Sequence, residues 1–186
     1  IDVTPDASFS SNAKNAVTAE IIFLQSFANT AVEFEMANGF YEDKDYLSER
    51  KIPTDKFEYS SNGDRDGFPL KNAFDDKTDS YWVAKEANND TFTNSVFITF
   101  KEPTVLEAIL FDSSYNTRGE SRSFNGFPIR FNVYTSLNED EEYTLSTQFT
   151  GTPVYPLARA QFVLKNPVNC TRVKLEFAQV TGNSRC

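Results

Sequence analysis

Apolar and polar residues alternate in short runs along the last two-thirds of the chain. Alternation with a period of two is typical of strands that bury one face. Turns rich in Gly, Pro, Asn and Asp separate the runs, and this pattern of short strands and turns predicts an all-β sandwich. The runs expected to form strands are 56–60, 96–100, 105–111, 129–134, 144–149, 160–164 and 172–177.

The N-terminal part of the chain is organised differently. An apolar run at 16–24 has the β-branched content of a strand, although its length also fits a short helix. A second run, 31–36, alternates like a strand, and 41–50 is charged and fits a linker or a short helix. We therefore expect an N-terminal segment, 1–46, followed by a β-sandwich domain, 47–186.

Composition narrows the function classes. The 186 residues carry a formal net charge of −9 without a basic tract, which disfavours nucleic acid and anionic membranes as partners. No apolar run is long enough to span a bilayer. The chain has no histidine, which excludes ordinary serine triads and His-based zinc sites. The 18 phenylalanines supply enough apolar surface for a packed core.

One stretch, 73–82, combines an apolar start, an acidic hydroxyl-rich turn and a final aromatic pair. The Asp75 carboxylate, the Ser80 hydroxyl and the carbonyl groups between them are ligands that a hard cation prefers. A solvated acidic turn before a strand explains the same residues. Trp82, at the end of the stretch, is expected in the core.

The stretch 73–82 resembles the "A-h-D-G-x-x-x-T-x-W" signature of discoidin domains, also called factor V/VIII type C domains, which family 32 carbohydrate-binding modules share. Asp76 stands in place of Gly, and Ser80 in place of Thr. The run 96–103 and the segment Thr171–Leu175 are similar to further strands of that family. The resemblance implies a discoidin-like, galactose-binding-domain-like jelly-roll β-sandwich that is secreted or on the cell surface.

The resemblance also implies a structural calcium ion bound by the turn. Side chains of Asp75 and Ser80 would coordinate it, together with carbonyl oxygens of Asn72, Lys77 and Ser80. The run 16–24 resembles the family's closing strand, "S-x-A-E-I-x-h". If it closes this sandwich, Ala19 (carbonyl) and Glu20 (carboxylate) complete the site.

The closing strand stands near the start of the chain, where the family would place it last. It fits the tail of a preceding domain in a tandem array, and it also fits a circular permutation. In either case we expect Thr18 to Leu24 to pair into the same sandwich as 47–186, because an unpaired edge would otherwise be exposed.

A glycan site needs a flat aromatic ring for the apolar sugar face and amides or guanidinium groups for the hydroxyls. The family places such groups in loops at one end of the sandwich, and the loop 115–126 contains all of them. Its arginines also fit simple pairing with nearby acids. The candidates are Tyr115, Arg118, Arg122, Phe124 and Asn125, with Arg65, Phe68 and Lys85 in neighbouring loops.

Two other function classes fit parts of the sequence. Paired carboxylates could support hydrolysis, but the pairs at 64/66, 75/76 and 139–142 sit in turns where solvated acids are normal. A discoidin-type adhesion domain could bind protein or phospholipid through apolar loop tips, although the acidic charge disfavours anionic lipid. We expect a non-catalytic module of a larger multidomain protein, with a glycan as ligand.

The two cysteines are Cys170 and Cys186. A short loop separates them, so they could form one disulfide, which we predict. Two unpaired thiols are the alternative.

Overall fold

The structure is a computed structural model, and its regular structure is almost entirely β. The described residues are 17–18, 20–25, 50–77, 80–85, 94–112, 128–150 and 159–180. The strands are β1 Val17–Thr18, β2 Glu20–Gln25, β3 Phe57–Ser61, β4 Trp82–Val83, β5 Asn94–Asp112, β6 Pro128–Ser136, β7 Thr144–Thr150 and β8 Arg159–Val180. Two short 3₁₀ helices span Thr54–Lys56 and Leu70–Ala73. Within these stretches, no helix has both the length and the apolar character needed to cross a bilayer.

Strands β5 and β8 form a long antiparallel ladder, in which residue 94 opposes residue 177 and residue 112 opposes residue 159. The first part of β5 also pairs with β3, whereas its last part pairs with β2. Beyond the C-terminal half of β8 lie β6 and then β7. The sheet therefore has a five-stranded half, β3-β5-β8-β6-β7, and a three-stranded half, β2-β5-β8.

Aromatic contacts show that the two halves face each other across one core. The ring centroid of Phe111, in the three-stranded half, lies 5.1 Å from that of Phe131 and 5.9 Å from that of Phe177, both in the five-stranded half. Phe23 of β2 likewise lies 5.8 Å from Phe57 of β3. All three pairs meet edge to face, a geometry that aromatic quadrupoles favour. The predicted all-β sandwich is confirmed.

The halves fold onto each other because the two long strands bend. The β5 register shifts between Thr99 and Thr104, across Pro103, which cannot donate to a ladder and is typical of bulges. A second irregularity, between Leu106 and Ala108, faces the part of β8 that contains Pro167. The strands expected at 96–100 and 105–111 are therefore one bent strand, as are those expected at 160–164 and 172–177.

The bends bring the strand ends together at one end of the sandwich. Phe111 is next to the last residue of β5, yet it contacts Phe177, which lies opposite the start of β5. The turn after β3 joins them there, since Asn62 donates its backbone N–H to the Ser95 carbonyl at 3.1 Å. We call this region the loop end; the bend around Lys101 forms the opposite end.

The N-terminal strands belong to the same sandwich. In β1, Val17 and Thr18 pair with β4, and in β2 the ladder runs from Glu20 opposite Asp112 to Gln25 opposite Leu106. Ile21 and Phe23 are at most 2% exposed and lie in the main core cluster. The expected pairing of Thr18 to Leu24 into the sandwich is confirmed. The division at residues 46 and 47 stays a prediction, and the alternating run 31–36 lies outside the described residues.

The other edge of β2 is bound by the residues before the first 3₁₀ helix. Ile52 donates its backbone N–H to the Phe23 carbonyl at 2.9 Å. Arg50, which is 5% exposed, donates from Nε to the Gln25 carbonyl at 3.2 Å and forms an ion pair with Glu107 of β5. Strand β2 is therefore bonded on both sides.

Candidate functional site

The turn between the second 3₁₀ helix and β4 is organised by the Asp75 carboxylate. The Ser80 hydroxyl donates to it, with Oγ at 2.9 Å from Oδ1 and 2.7 Å from Oδ2. The backbone N–H of Lys77 donates to Oδ1 at 3.1 Å. Before the turn, Ala73 and Phe74 are buried in the core, which fixes where the turn begins. The turn therefore holds three side-chain oxygens close together at its centre.

Asp76 adopts the left-handed conformation that the motif's usual glycine supplies, with φ at +59°. Non-glycine residues avoid this region, but Asp tolerates it better than most. Lys51 forms an ion pair with the Asp76 carboxylate from outside the turn. The replacement of Gly by Asp is thus compatible with the shape of the turn.

The donors in this turn fit a calcium ion. The atoms that could coordinate a metal here are all oxygens, and Ca²⁺ prefers carboxylate, hydroxyl and carbonyl ligands. Among the described residues, no three His, Cys, Asp or Glu side chains lie together as a metal cluster, so a cation would also depend on backbone carbonyls. The Asn72 side-chain amide donates a hydrogen bond to the Tyr81 backbone carbonyl at 3.0 Å. The predicted ligand at this position is the Asn72 carbonyl oxygen of the backbone, which this bond does not involve. Coordination by Asn72, Asp75, Lys77 and Ser80 stays a prediction.

The expected acidic partner of this site is carried by the N-terminal strands. Ala19 lies outside the described residues, and for Glu20 only the backbone is considered. Thr18 opposes Trp82; Glu20 follows Thr18 by two positions, and Ser80 precedes Trp82 by two. Because the ladder is antiparallel, the chain after Thr18 runs toward the turn. This placement supports the predicted role of Glu20 and does not test it.

Asp64 is a structural carboxylate. It accepts a hydrogen bond from the indole Nε1 of Trp82 at 3.0 Å and from the backbone N–H of Leu70 at 3.0 Å, and a third from the Ser61 hydroxyl. Trp82 itself is fully buried, as expected. Asp64 therefore ties the turn after β3 to β4 and to the second 3₁₀ helix, and all of its described contacts are internal.

Two aromatic rings stack at the loop end. The rings of Phe68 and Tyr81 have centroids 5.0 Å apart and an interplanar angle of 26°, and both side chains are half-buried. The guanidinium carbon of Arg65 lies 5.9 Å from the Phe68 centroid, within the range of a cation–π contact. Arg65 is exposed, so its N–H groups face solvent beside the rings.

Lys85 lies on the same side of this structure as Arg65. Arg65 donates its backbone N–H to the Val83 carbonyl, and Lys85 donates to the Gly63 carbonyl. These are alternate positions of one antiparallel pairing, so their side chains leave on one face. We call Arg65, Phe68, Tyr81 and Lys85 the loop-end surface. The structure thus brings together the predicted residues Arg65, Phe68 and Lys85.

Gly63 gives Lys85 its position. A Cβ at residue 63 would lie 3.1 Å from the Cβ of Lys85 and 3.2 Å from its Cδ, so the lysine stem passes directly over the glycine. Gly63 also has a φ of +156°, which residues with a side chain rarely adopt. A larger residue here would displace the lysine.

The remaining predicted ligand residues belong to a loop outside the described part of the chain: Tyr115, Arg118, Arg122, Phe124 and Asn125. The described strands on either side of that loop end at Asp112 and begin at Pro128. Asp112 is next to Phe111, which contacts Phe177 at the loop end, and Pro128 opposes Val180 at the end of β8. Both flanking strands therefore reach the loop end.

Tyr81 was missed from the sequence, although a signal for it exists. Adjacent residues of a strand point to opposite faces, so Tyr81 points away from the side that Trp82 occupies. The role of Asp64 was also missed, because its partners Trp82 and Leu70 are joined to it only by the fold.

The predicted disulfide is not formed in the structure. Cys170 is a free thiol with no exposed surface, within the core cluster of β8, and Cys186 lies outside the described residues. The Cys170 side chain faces the sandwich interior, and the residue lies opposite Thr104 in the ladder. Burial raises the pKa of this thiol to about 12, although a backbone hydrogen bond involving Leu106 acts in the other direction.

A second polar cluster lies on the outer face of the five-stranded half. Burial alone would raise the pKa of Glu176, but hydrogen bonds from Lys174, Asn132 and Tyr134, together with the Lys174 charge, hold it below its usual value. Lys174 Nζ lies 2.7 Å from Glu176 Oε2, and Gln148 Nε2 donates to Asn132 at 2.8 Å. These groups are satisfied by each other, so this cluster stabilises the sheet face.

No protein-family model matches the sequence, and no curated protein matches it. Solved structures do match. A Clostridium perfringens ZmpB structure with the CBM32-1, CBM32-2 and M60 catalytic domains shares 20% identity at a TM-score of 0.65, covering 88% of this chain and 16% of that one. CBM32 denotes a family 32 carbohydrate-binding module.

Two further matches were solved with sugars. The CBM32-1 and CBM32-2 domains of ZmpB in complex with GalNAc match at 21% identity and a TM-score of 0.58, covering 70% of this chain and 32% of that one. The family 32 module of C. perfringens NanJ in complex with galactose matches at 17% identity and a TM-score of 0.53, covering 72% and 88%. The discoidin-like jelly-roll fold that the motif implied is confirmed.

Proposed function

We propose that this chain is a non-catalytic carbohydrate-binding module that recognises glycans at the loop end of its sandwich. The observation that carries the proposal is the loop-end surface, where the stacked Phe68 and Tyr81 rings lie beside Arg65. The fold is that of modules solved with galactose and GalNAc, which supports a sugar as the ligand.

The chemistry of this surface suits a sugar. The C–H face of a pyranose packs on an aromatic ring, and its hydroxyls accept hydrogen bonds from a guanidinium. Phe68 is held on one side by Tyr81, which fixes its ring without covering the surface fully. The candidates in the loop 115–126 lie outside the described residues and remain part of the proposal.

The acidic residues support a binding role over hydrolysis. The Asp64 carboxylate is engaged by Trp82, Leu70 and Ser61, and that of Asp75 by Ser80 and Lys77. The acids at 139–142 are exposed in the turn between β6 and β7, away from the loop end. Adhesion to protein or phospholipid remains the alternative function and is an outcome of the test below.

The proposal includes a structural calcium ion in the Asp75 turn. Its role would be to stabilise the turn that positions Tyr81 and Trp82, with Glu20 as a further ligand. The oxygen donors around Asp75 and the approach of the N-terminal strands to this turn support it.

We also place the chain in a larger secreted or cell-surface protein. The 16% coverage of the ZmpB chain, which combines two such modules with a catalytic domain, supports this context.

A glycan array, run with calcium and again with chelator, tests the proposal. Hits should be confirmed by calorimetry on the full chain and should weaken at least about tenfold in Phe68→Ala and Tyr81→Ala, as loss of an aromatic platform predicts. Tyr143→Ala, beneath Arg172 at the opposite end, is the matched control. Binding to lipid vesicles without binding to sugars would support the adhesion alternative and overturn the glycan proposal.

A further inference from the structure

We propose that the loop-end surface selects acidic saccharides, those carrying a carboxylate or sulfate group, through Arg65 and Lys85. This inference rests on the proposed glycan-binding function and adds the class of sugar.

The two cations are placed to act on one ligand. Arg65 opposes Val83 in the short pairing at the loop end, and Lys85 is two residues further along the same strand. Their side chains therefore leave on the same face, at diagonal positions that long side chains can bridge. A Cβ at position 63 would meet the stem of Lys85, and the glycine leaves that space to the lysine.

The aromatic pair lies beside these cations. Tyr81 and Val83 alternate with the buried Trp82, so Tyr81 shares the face of Lys85. Phe68 stacks on Tyr81, and Arg65 lies by the Phe68 ring. A sugar on this platform would have its substituents within reach of a guanidinium.

The charge of this surface differs from that of the chain. The whole chain has a net charge of −9, yet Arg65 and Lys85 are exposed and neither forms an ion pair with another described residue. The nearby Asp64 is turned inward and engaged by Trp82 and Leu70. Among the described residues, Asp66 is the exposed acid next to Arg65 in sequence, and its charge would oppose an anionic ligand.

The residue types also match the ligand class. A guanidinium can donate two parallel hydrogen bonds to a carboxylate or sulfate, which makes such contacts stronger than bonds to neutral hydroxyls. The cation–π contact with Phe68 restricts the Arg65 side chain, so less conformational entropy is lost when it binds. The Lys85 ammonium group adds a positive charge without a fixed hydrogen-bond geometry, so it can pair with a carboxylate or with a sulfate.

Matched sugars test the proposal on the full chain. Galacturonate is compared with galactose, which differs from it by a carboxylate in place of a hydroxymethyl group. GalNAc 6-sulfate is compared with GalNAc, so that the two arms separate carboxylate from sulfate recognition. We expect at least one acidic sugar to bind about tenfold more tightly than its neutral partner, as one additional charged hydrogen-bond contact predicts. That preference should decline as salt is raised.

Variants locate the effect. Arg65→Gln and Lys85→Gln should each reduce the ratio of acidic-sugar to neutral-sugar affinity, and Asp66→Asn should increase that ratio, because each changes one nearby charge. Lys101→Gln removes an exposed charge at the opposite end and should change nothing.

The outcomes separate the two proposals. Equal binding of acidic and neutral sugars, or a preference unchanged in Arg65→Gln and Lys85→Gln, overturns acidic selection while glycan binding stands. No binding to any glycan on the array overturns both.

Discussion

The indole N–H of Trp82 donates a hydrogen bond to the Asp64 carboxylate, with 3.0 Å between Nε1 and Oδ1. Trp82 is fully buried, so this N–H has no water to replace a lost partner. The same carboxylate accepts the backbone N–H of Leu70 through its other oxygen. The bond therefore ties the turn that carries Arg65 and Phe68 to the strand that follows Tyr81.

Replacing Asp64 should destabilise the chain. Asp64→Ala leaves buried donors unpaired and should lower the free energy of unfolding by about 2 to 4 kcal/mol. Asp64→Asn keeps one acceptor oxygen and should lower it less. Urea denaturation measures both, with the exposed Asp66→Ala as control. Equal stability of Asp64→Ala and Asp66→Ala would contradict the role of this carboxylate.

Calcium should stabilise the folded chain through Asp75. A ligand that binds only the folded state raises the melting temperature as its concentration rises. We expect chelator to lower the melting temperature of the parent. Asp75→Ala should melt below the calcium-bound parent, and its melting temperature should be the same in calcium and in chelator. Asp140→Ala, in the exposed turn between β6 and β7, should keep the calcium response. If chelator leaves the melting curve of the parent unchanged, this turn does not bind calcium.

The left-handed conformation of Asp76 predicts a preference for glycine at this position. Asp76→Ala and Asp76→Gly both lose the ion pair with Lys51, but only Ala has a Cβ that this φ disfavours. The glycine variant should therefore be more stable than the alanine variant by about 1 kcal/mol. Chemical denaturation of the two variants gives the difference, and an alanine variant of equal or greater stability would contradict it.

The N-terminal strand should be necessary for folding. Deleting residues 1–25 removes β1 and β2, exposes the edge of β5 and takes Phe23 from the core. We expect an aggregation-prone chain whose melting does not respond to calcium. In the intact chain, Phe23→Ala should cost about 3 to 5 kcal/mol, and the control Gln25→Ala much less. A deletion that folds and melts like the parent would show that this strand is dispensable.

The buried thiol of Cys170 predicts a loss of stability at high pH. Its pKa is about 12 in the folded state against 9.0 in the reference, so between these values the unfolded chain releases a proton that the folded chain keeps. The contribution of the buried thiol to the free energy of unfolding is complete below pH 9 and declines as the pH rises toward 12. The loss should be smaller in Cys170→Ala, measured by urea denaturation at pH 8 and pH 10.5. A Cys170–Cys186 disulfide detected by non-reducing mass spectrometry would contradict the free thiol.

The sequence predicts the strands well because each strand buries one face, so apolar and polar residues alternate along it with a period of two. It predicts two strands where β5 has one, because Pro103 and its charged neighbours resemble a turn. The structure keeps the ladder through a bend there, since β8 pairs on both sides of it. The bend depends on a partner strand about 70 residues away, which no local pattern contains.

The candidate site divides in the same way. The turn at Asp75 follows from a local motif, and its internal hydrogen bonds are local too. The loop-end surface depends on pairing between the turn after β3 and the segment around Val83, so the sequence could name Arg65, Phe68 and Lys85 but could not place them together. Tyr81 joins them only once Trp82 is known to point inward.

The pairing of β2 with β5 has a consequence for synthesis on the ribosome. Strand β2 leaves the exit tunnel before β5, yet Glu20 finds its partner only when Asp112 has emerged. At about 5–20 residues per second, the nascent chain carries an unpaired apolar strand for roughly 5–20 s. Folding of this sandwich is therefore largely completed only after β8 has emerged and joined β5, and the waiting strand is a segment that a chaperone would shield.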